Sequence, residues 1–379
     1  MVVCGTELIN GNSVISLIVP PNSKGKSVKQ NTITWMIYGA NGYTGELVIK
    51  EALSQGLKPI VAGRSPSKIS QLAQKYGLEA SIFDLNDSKI EDHLAKVDIF
   101  LNCAGPFSQT IKPAIDACIA TQTNYLDITG EIDVFEYVHG RSADLKAAGI
   151  FAIPGIGFDV VPTDTVAALL KEKLPDATHL DLAFHPGKGQ TSRGTTKTMI
   201  ENIHKGGKIR ADGKIIDVGV AYKIKEIPFS HRKSFAVTIP WGDVATAYYS
   251  TKIPNIEVYM GASAKVIKGL KAMRYLRHVF KFKPLRTMAM KKADTISGPD
   301  ENTRNAGKSY IYGKAWNQST SKEIKLETPE GYKLTAMTAV AAIKALETLG
   351  IENLSGALTP TMAFGTSFLL GLEECVIKE

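Results

Sequence analysis

The sequence predicts an α/β fold in which a doubly wound parallel sheet is joined to a second, α+β domain. Three observations carry this. Short runs rich in Val, Ile, Leu and Phe alternate with amphipathic segments between Thr34 and Ile153. The first run feeds a turn with glycines at three-residue spacing, Gly39, Gly42 and Gly45. After Pro154 the alternation stops, and strands separated by Gly- and Pro-bearing turns take over. Strands covered on both faces read as near-continuous apolar runs, and right-handed crossovers make a Rossmann sheet the simplest closure.

The elements follow in order. Thr34–Tyr38 reads as the first strand. A helix runs from Tyr43 to about Gln55, with Leu47, Val48 and Ala52 on its apolar flank and Gly56 ending it. Pro59–Ala62 is the second strand. Ser65 caps a second helix that has Pro66 at its first position and ends at Gly77. Strands at Ala80–Phe83, Asp98–Cys103, Tyr125–Ile128 and Ile150–Ile153 are separated by helices starting near Asp87, over Thr110–Thr121 and over Ile132–Ala147. In the second domain Thr163–Lys173 reads as helix, and Thr178–Phe184, Phe235–Ile239 and Ala245–Ser250 as strands. Helices over Leu334–Leu349 and ending at Phe368–Glu374 are expected to pack back on the first domain. This divides the chain into an extension (1–31), a Rossmann domain (32–156, with 331–379 returning to it) and an α+β substrate domain (157–330).

Composition sets bounds. The chain has 379 residues, 44% hydrophobic and 22% charged, which suits two globular domains. No run reaches the ~18 apolar residues that span a bilayer. The first residues hold one strand-like run, Val14–Val19, stopped by Pro20-Pro21, and then a polar Gly/Ser/Lys-rich stretch, so a flexible extension is expected. A net charge of +8 suits a phosphate-bearing ligand, an anionic membrane or a nucleic acid. The chain has no zinc-finger spacing, RNA-binding aromatic signature or basic zipper, so nucleic acid is not expected. Cys4, Cys103, Cys118 and Cys375 form no C-x-x-C pair, which predicts a reducing, cytoplasmic setting without disulfides. No metal site is expected.

The chemistry is expected at the carboxyl ends of the strands. Gly39 permits a tight turn, Gly42 removes a side chain that would block phosphates, and Gly45 lets the next helix pack on the strand. The helix starting at Tyr43 turns its free N–H groups and positive dipole end toward an anion, with Asn41 and Thr44 completing the loop. The second strand ends in Arg64-Ser65 with no carboxylate to take a ribose 2′-hydroxyl. Arg64 can instead take a 2′-phosphate bidentately, with Ser65 and Lys68 in support. NADP(H) is therefore expected over NAD(H). Asp84, after the third strand, either accepts from an adenine amine or caps a turn. Cys103, Ala104, Gly105 and Pro106 let backbone approach the ribose and nicotinamide. Cys103 is read as a buried thiol and not a nucleophile, because no His is near it in sequence. Asp127 and Glu131 are carboxylates at the mouth of the sheet, where a proton donor is needed, and Asp159 is a further candidate for catalysis or an anchor of its turn. Glu131 is open instead to a first-turn place stabilised by a helix dipole, which is the favoured reading.

The segments Gly39–Gly45 (G-A-N-G-Y-T-G), Ala62–Ser65, Asn102–Phe107, Tyr125–Glu131 and Pro154–Asp164, in that order, resemble the saccharopine dehydrogenase-like oxidoreductases, a group that includes trans-acting enoyl reductases. Ser192–Thr195 is similar to a Ser-Gly-Gly-Thr turn of that family, with Arg193 as a departure. Ile239–Val244, Ile253–Tyr259, Gly298–Asp300 and Leu358–Pro360 also look like family segments. The resemblance implies a Rossmann domain, an α+β substrate domain and NAD(P)H use, and it carries the dinucleotide role onto Gly39, Gly42, Gly45 and Arg64. It implies no catalytic residue. Arg193 is open to a substrate carboxylate or phosphate, or to a surface role.

These readings lead to an NADPH-dependent reductase of a small, unsaturated and lipid-like substrate, expected as a homodimer. Reduction of C=N or C=O in an amino-acid-derived substrate stays open. So does a non-catalytic dinucleotide-binding protein on lipid surfaces. The stretch between Glu257 and Asp294 has no acidic residue and interleaves Lys and Arg with Val266, Leu270, Met273 and Phe280. Residues 264–292 are thus open to peripheral membrane contact or to packing on the substrate domain.

Overall fold

The computed structural model describes residues 33–187, 192–202, 206–276, 283–293 and 295–378. The expected flexible extension over residues 1–31 lies outside the described residues. The first strands are β1 (Trp35–Tyr38), β2 (Ile60–Gly63), β3 (Ala80–Ile82), β4 (Ile99–Asn102), β5 (Asn124–Asp127) and β6 (Phe151–Ile153). The second set is β7 (His179–His185), β8 (Gly207–Ala211), β9 (Lys214–Val218), β10 (Ile224–Pro228), β11 (Lys233–Thr238), β12 (Asn255–Gly261), β13 (Lys308–Trp316) and β14 (Ser321–Pro329). Two short strands follow, β15 (Gly356–Ala357) and β16 (Val376–Lys378).

Among the described residues, seven parallel strands form one sheet in the order β15-β6-β5-β4-β1-β2-β3. This is the predicted doubly wound arrangement. Its order reverses between β1 and β4, so the crevice that such sheets offer to ligands lies beyond Tyr38 and Asn102, which pair in register. Both faces are buried. One packs Ile37, Val61 and Leu101 against the helices Tyr43–Ser54 and Gly331–Leu349, the latter through Ala339, Val340 and Ile343. The other packs Met36, Phe100 and Tyr125 against the helix Phe107–Thr121 through Ile111 and Ile115.

The second sheet is mixed. It runs β10-β11-β12-β7-β13-β14-β16, with β12 and β7 parallel and the hairpin β8–β9 attached at β12. Leu180, Leu182, Ile256, Val258 and Ile311 cover the helix Val161–Lys173, which inserts Val166 and Leu170. No helix among the described residues is long and apolar enough to cross a membrane.

Two expectations are corrected. Ala245–Ser250 is part of a helix, Asp243–Thr251, and not a strand. Its β-branched and aromatic residues favour a strand locally, but burial of Val244, Ala245 and Ala247 in the second core decides the matter. Arg210 holds the helix start by donating to the Val244 carbonyl at 2.8 Å. The segment Ile132–Ala147 is two helices, Ile132–Gly140 and Ser142–Ala147, broken at Arg141, whose guanidinium pairs with Asp116 and Asp144.

The contact between β13 and the helix Val161–Lys173 has no spare room. A Cβ at Gly313 would lie 2.3 Å from Val166 Cγ1 and 2.8 Å from Leu170 Cδ1. Gly313→Ala is therefore expected to destabilise the protein by about 1–3 kcal/mol in denaturant unfolding. An unchanged midpoint would contradict this packing.

Candidate active site

The glycine turn works by main-chain proximity. Gly39 has φ +75°, and a Cβ there would lie 2.9 Å from the Ala104 nitrogen. Only glycine lets the ends of β1 and β4 meet this closely. The Gly42 amide donates to the Gly39 carbonyl at 2.8 Å and closes the turn. A Cβ at Gly45 would stand 2.5 Å from that same carbonyl, so the third glycine lets the helix Tyr43–Ser54 rise directly under the loop. Gly42 is the N-cap of that helix, and no side chain caps it. Tyr43 and Thr44 thus begin a helix whose first-turn amides lie at the switch point, a geometry suited to a diphosphate.

The other sequence-predicted cofactor residues surround this turn. Ala40 N donates to Ala62 O at 3.1 Å, tying the loop to β2, and the Asn41 carboxamide lies beside Gly63. Arg64 is exposed just past β2, and Ser65 is the N-cap of Pro66–Tyr76 without a side-chain capping bond. Burial and the nearby Asp84 push the Tyr38 hydroxyl up to about 12, while Arg64 acts in the opposite sense, so both charges act on Tyr38. Asp84 caps its own turn, accepting from the Asn86 amide at 2.9 Å. After β4, Cys103 N donates to Tyr38 O at 2.8 Å, and the Ala104 amide donates to Asn102 Oδ1 at 2.9 Å. Burial pushes the half-buried Cys103 thiol far up, with Asp127 adding to it, so the thiolate is disfavoured. Gly105 is exposed, and Pro106 precedes the helix Phe107–Thr121 as its N-cap.

The carboxylates separate by hydrogen bonding. Asp127 is fully buried. Its Oδ1 accepts from the amides of Thr129 (2.9 Å) and Gly155 (2.8 Å), and its Oδ2 accepts from the Tyr125 hydroxyl (2.9 Å). It pins the end of β5 to the turn after β6. Glu131 is the N-cap residue of Ile132–Gly140, but its carboxylate accepts from the amides of Phe107 (2.8 Å) and Ser108 (3.1 Å) and so caps the positive end of a neighbouring helix. Asp159 is half-buried against Gly130, where a Cβ would stand 2.8 Å from its Oδ2, and it accepts no hydrogen bond from any described residue. Burial pushes both Asp127 and Asp159 up to about 7. Among the described residues, no cluster of His, Cys, Asp and Glu is arranged to hold a metal.

Tyr332 was not singled out by the sequence. Its ring meets Tyr43 edge-on at 5.0 Å, and its hydroxyl accepts from the Ser192 amide at 2.6 Å. The charge of Asp159 acts on it as well. The sequence pattern starts the C-terminal helix at Leu334, whereas the helix begins at Gly331 and includes Tyr332. The only available signal was the expectation that this helix returns to the first domain.

Residues 35–153 match the family model described as the saccharopine dehydrogenase NADP binding domain. A human protein named saccharopine dehydrogenase-like oxidoreductase is 24% identical over 427 residues, spanning 93% of this chain and 99% of that one. Residues 35–153 of the chain are thus similar to the NADP binding domain of saccharopine dehydrogenase. A mouse protein of the same name is 31% identical over 159 residues. That match spans 36% of this chain and 37% of the mouse protein, little more than a third of its length. The solved apo structure of histidine-tagged saccharopine dehydrogenase (L-Glu forming) from Saccharomyces cerevisiae shares the fold, with a TM-score of 0.61 at 12% identity. It covers 91% of this chain and 99% of its own.

The glycine turn and the open helix end lie within the segment that matches the NADP binding domain. The cradle that a Cβ at position 39, 42 or 45 would obstruct fits a dinucleotide. The two raised carboxyls also bear on stability. Each holds its proton more tightly folded than unfolded, so each stabilises the fold fully below about pH 4, and that contribution is lost as pH rises through about 7. Asp159→Asn should remove one such contribution. The wild-type melting temperature, measured relative to the variant, should fall between about pH 4 and pH 8. Parallel profiles would contradict the assigned state of Asp159.

Proposed function

We propose that the chain is an NADPH-dependent oxidoreductase that delivers hydride to an unsaturated, lipid-like acceptor, such as an enoyl group. One observation carries the reading. The uncapped helix end, the Gly39–Ala104 contact and Arg64 all lie at the carboxyl edge of one parallel sheet, and Arg64-Ser65 ends β2 with no carboxylate. Bound NADPH supplies the hydride. Gly39, Gly42 and Gly45 admit its diphosphate to main-chain amides, and Arg64 and Ser65 take the 2′-phosphate. Ala104, Gly105 and Pro106 form the wall beside the ribose and nicotinamide.

Asp159 is the proton donor in this reading. It lacks a hydrogen-bond partner among the described residues, and burial holds its carboxyl up to about 7, so a proton is available near neutrality. Asp127 has the same raised carboxyl but spends its oxygens on Thr129, Gly155 and Tyr125, which makes it a positioning residue. The resemblance to enoyl reductases supports the acceptor class.

Peripheral contact with an anionic membrane is part of the same proposal. Helices Ala264–Leu276 and Lys283–Ala293 expose Val266 and Met288 together with Lys265, Lys268, Lys271, Lys291 and Lys292. Residues 277–282, including Arg277, Phe280 and Lys281, lie outside the described residues. Co-sedimentation with anionic but not neutral liposomes is the expected result, and equal recovery with both would end this part of the proposal.

NADPH oxidation against a panel of enones, imines and carbonyls tests the activity. Turnover of an enone is expected. Arg64→Ala should raise the KM for NADPH by about tenfold or more while leaving that for NADH unchanged. Tight NADPH binding with no turnover in any class would favour the non-catalytic alternative. An intact NADPH preference in Arg64→Ala would remove the 2′-phosphate assignment.

A further inference from the structure

A cleft of about 310 Å³ opens beside the first turn of the helix Tyr43–Ser54, lined by Tyr43, Arg193, Thr295, Ile296 and Ser297. Among the described residues, the lining brings one cation and several hydroxyl groups together and includes no carboxylate. Arg193 is exposed and forms no ion pair with any described residue.

The cleft is built from both domains, and its walls are braced. The Tyr43 hydroxyl donates to Pro299 O at 2.5 Å. Arg304 Nη1 donates to that hydroxyl at 2.9 Å and to Pro299 O at 2.6 Å. On the other side, Tyr43 packs edge-on against Tyr332, whose hydroxyl holds the amide of Ser192, the residue before Arg193. Ser192 is itself buried, and its hydroxyl accepts from the Thr195 amide at 3.3 Å. A continuous run of contacts therefore sets the backbone of Arg193 at a fixed place relative to the glycine turn.

The turn also leaves a charge requirement unmet. From Gly39 to Gly45 it carries no Lys or Arg, and Arg64 lies past the end of the neighbouring strand. A diphosphate seated on main-chain amides alone would keep most of its negative charge uncompensated. A guanidinium fork matches paired phosphate oxygens, and the apolar wall of Tyr43 and Ile296 strengthens the attraction by thinning the water around it.

We propose that this cleft is an oxyanion subsite in which Arg193 reaches the dinucleotide diphosphate from the second domain, across from the amide end of Tyr43–Ser54. The assignment rests on the dinucleotide reading above. It makes Arg193 a cofactor-affinity residue that is indifferent to the 2′-phosphate, because the diphosphate is common to NADPH and NADH.

Fluorescence titration of NADPH and NADH into wild type, Arg193→Ala and Arg193→Lys, at low and high salt, tests it, with inorganic pyrophosphate as competitor. Circular dichroism and thermal melting establish that the variants fold. Arg193→Ala should weaken both dinucleotides by the same factor, about tenfold, and should reduce the dependence on salt. It should also weaken competition by pyrophosphate by a similar factor, while Arg193→Lys restores part of the affinity. Arg64→Ala, in contrast, should weaken NADPH alone. Wild-type affinities and wild-type pyrophosphate competition in Arg193→Ala would overturn the subsite and leave the dinucleotide reading standing. In that case a KM effect confined to the acceptor would assign Arg193 to a substrate anion. Failure of the wild type to bind either dinucleotide would overturn both.

Discussion

Main-chain contact between the ends of β1 and β4 is the constraint around which the first domain is arranged. The loop after Tyr38 and the loop after Asn102 approach so closely that neither backbone tolerates a side chain at Gly39. Such closeness requires the flanking groups to be fixed, and they are. Asn102 donates to Thr110 Oγ1 at 3.1 Å and to the Tyr125 hydroxyl at 3.3 Å, and that hydroxyl in turn donates to Asp127. Glu131 closes the row by capping the helix that follows Pro106. Buried polar groups that satisfy one another in this way hold a single geometry, because breaking one bond strands its partner away from water.

The contrast between Asp127 and Asp159 follows from the same row. Burial raises both carboxyls alike. One is consumed in holding β5 to the turn after β6, whereas the other stands against Gly130 with no hydrogen-bond partner among the described residues. In the proposed reaction the proton comes from the group that the scaffold does not need. The helix Gly331–Leu349 joins this arrangement to the second domain. Its body lies in the core of the first sheet, and its first turns reach outward. Tyr332 holds Ser192, and Thr335 accepts from the Phe158 amide at 3.0 Å, so one helix registers the post-β6 turn and the start of Arg193–Asn202 against the glycine turn.

Much of the first domain was legible because its strands are buried on both faces. Runs such as Trp35–Tyr38 and Ile99–Asn102 have little freedom to be anything else, and Gly39, Gly45 and Gly56 mark the turns between elements. The second sheet was harder. In β13 the inward positions are Ser309, Ile311, Gly313 and Ala315, so the apolar alternation that reveals a strand is diluted by small residues chosen for close approach to Val166 and Leu170. Asp243–Thr251 carries strand-like side chains and is held helical by tertiary burial. At the site, residues adjacent to strand ends were placed by sequence position alone. Tyr332 was not, since its partner Ser192 is 140 residues away. Glu131 does begin the helix Ile132–Gly140 as its N-cap, but spacing along the chain says nothing about the second helix end, at Phe107, that its carboxylate caps.

The central claim is that bare main-chain amides at the switch point seat a dinucleotide diphosphate. Hydrogen exchange of the backbone amides of Tyr43, Thr44 and Gly45, measured with and without NADPH, addresses it most directly. The account predicts slower exchange at these amides on addition of NADPH. Unchanged exchange there, with protection appearing only elsewhere in the chain, would contradict it.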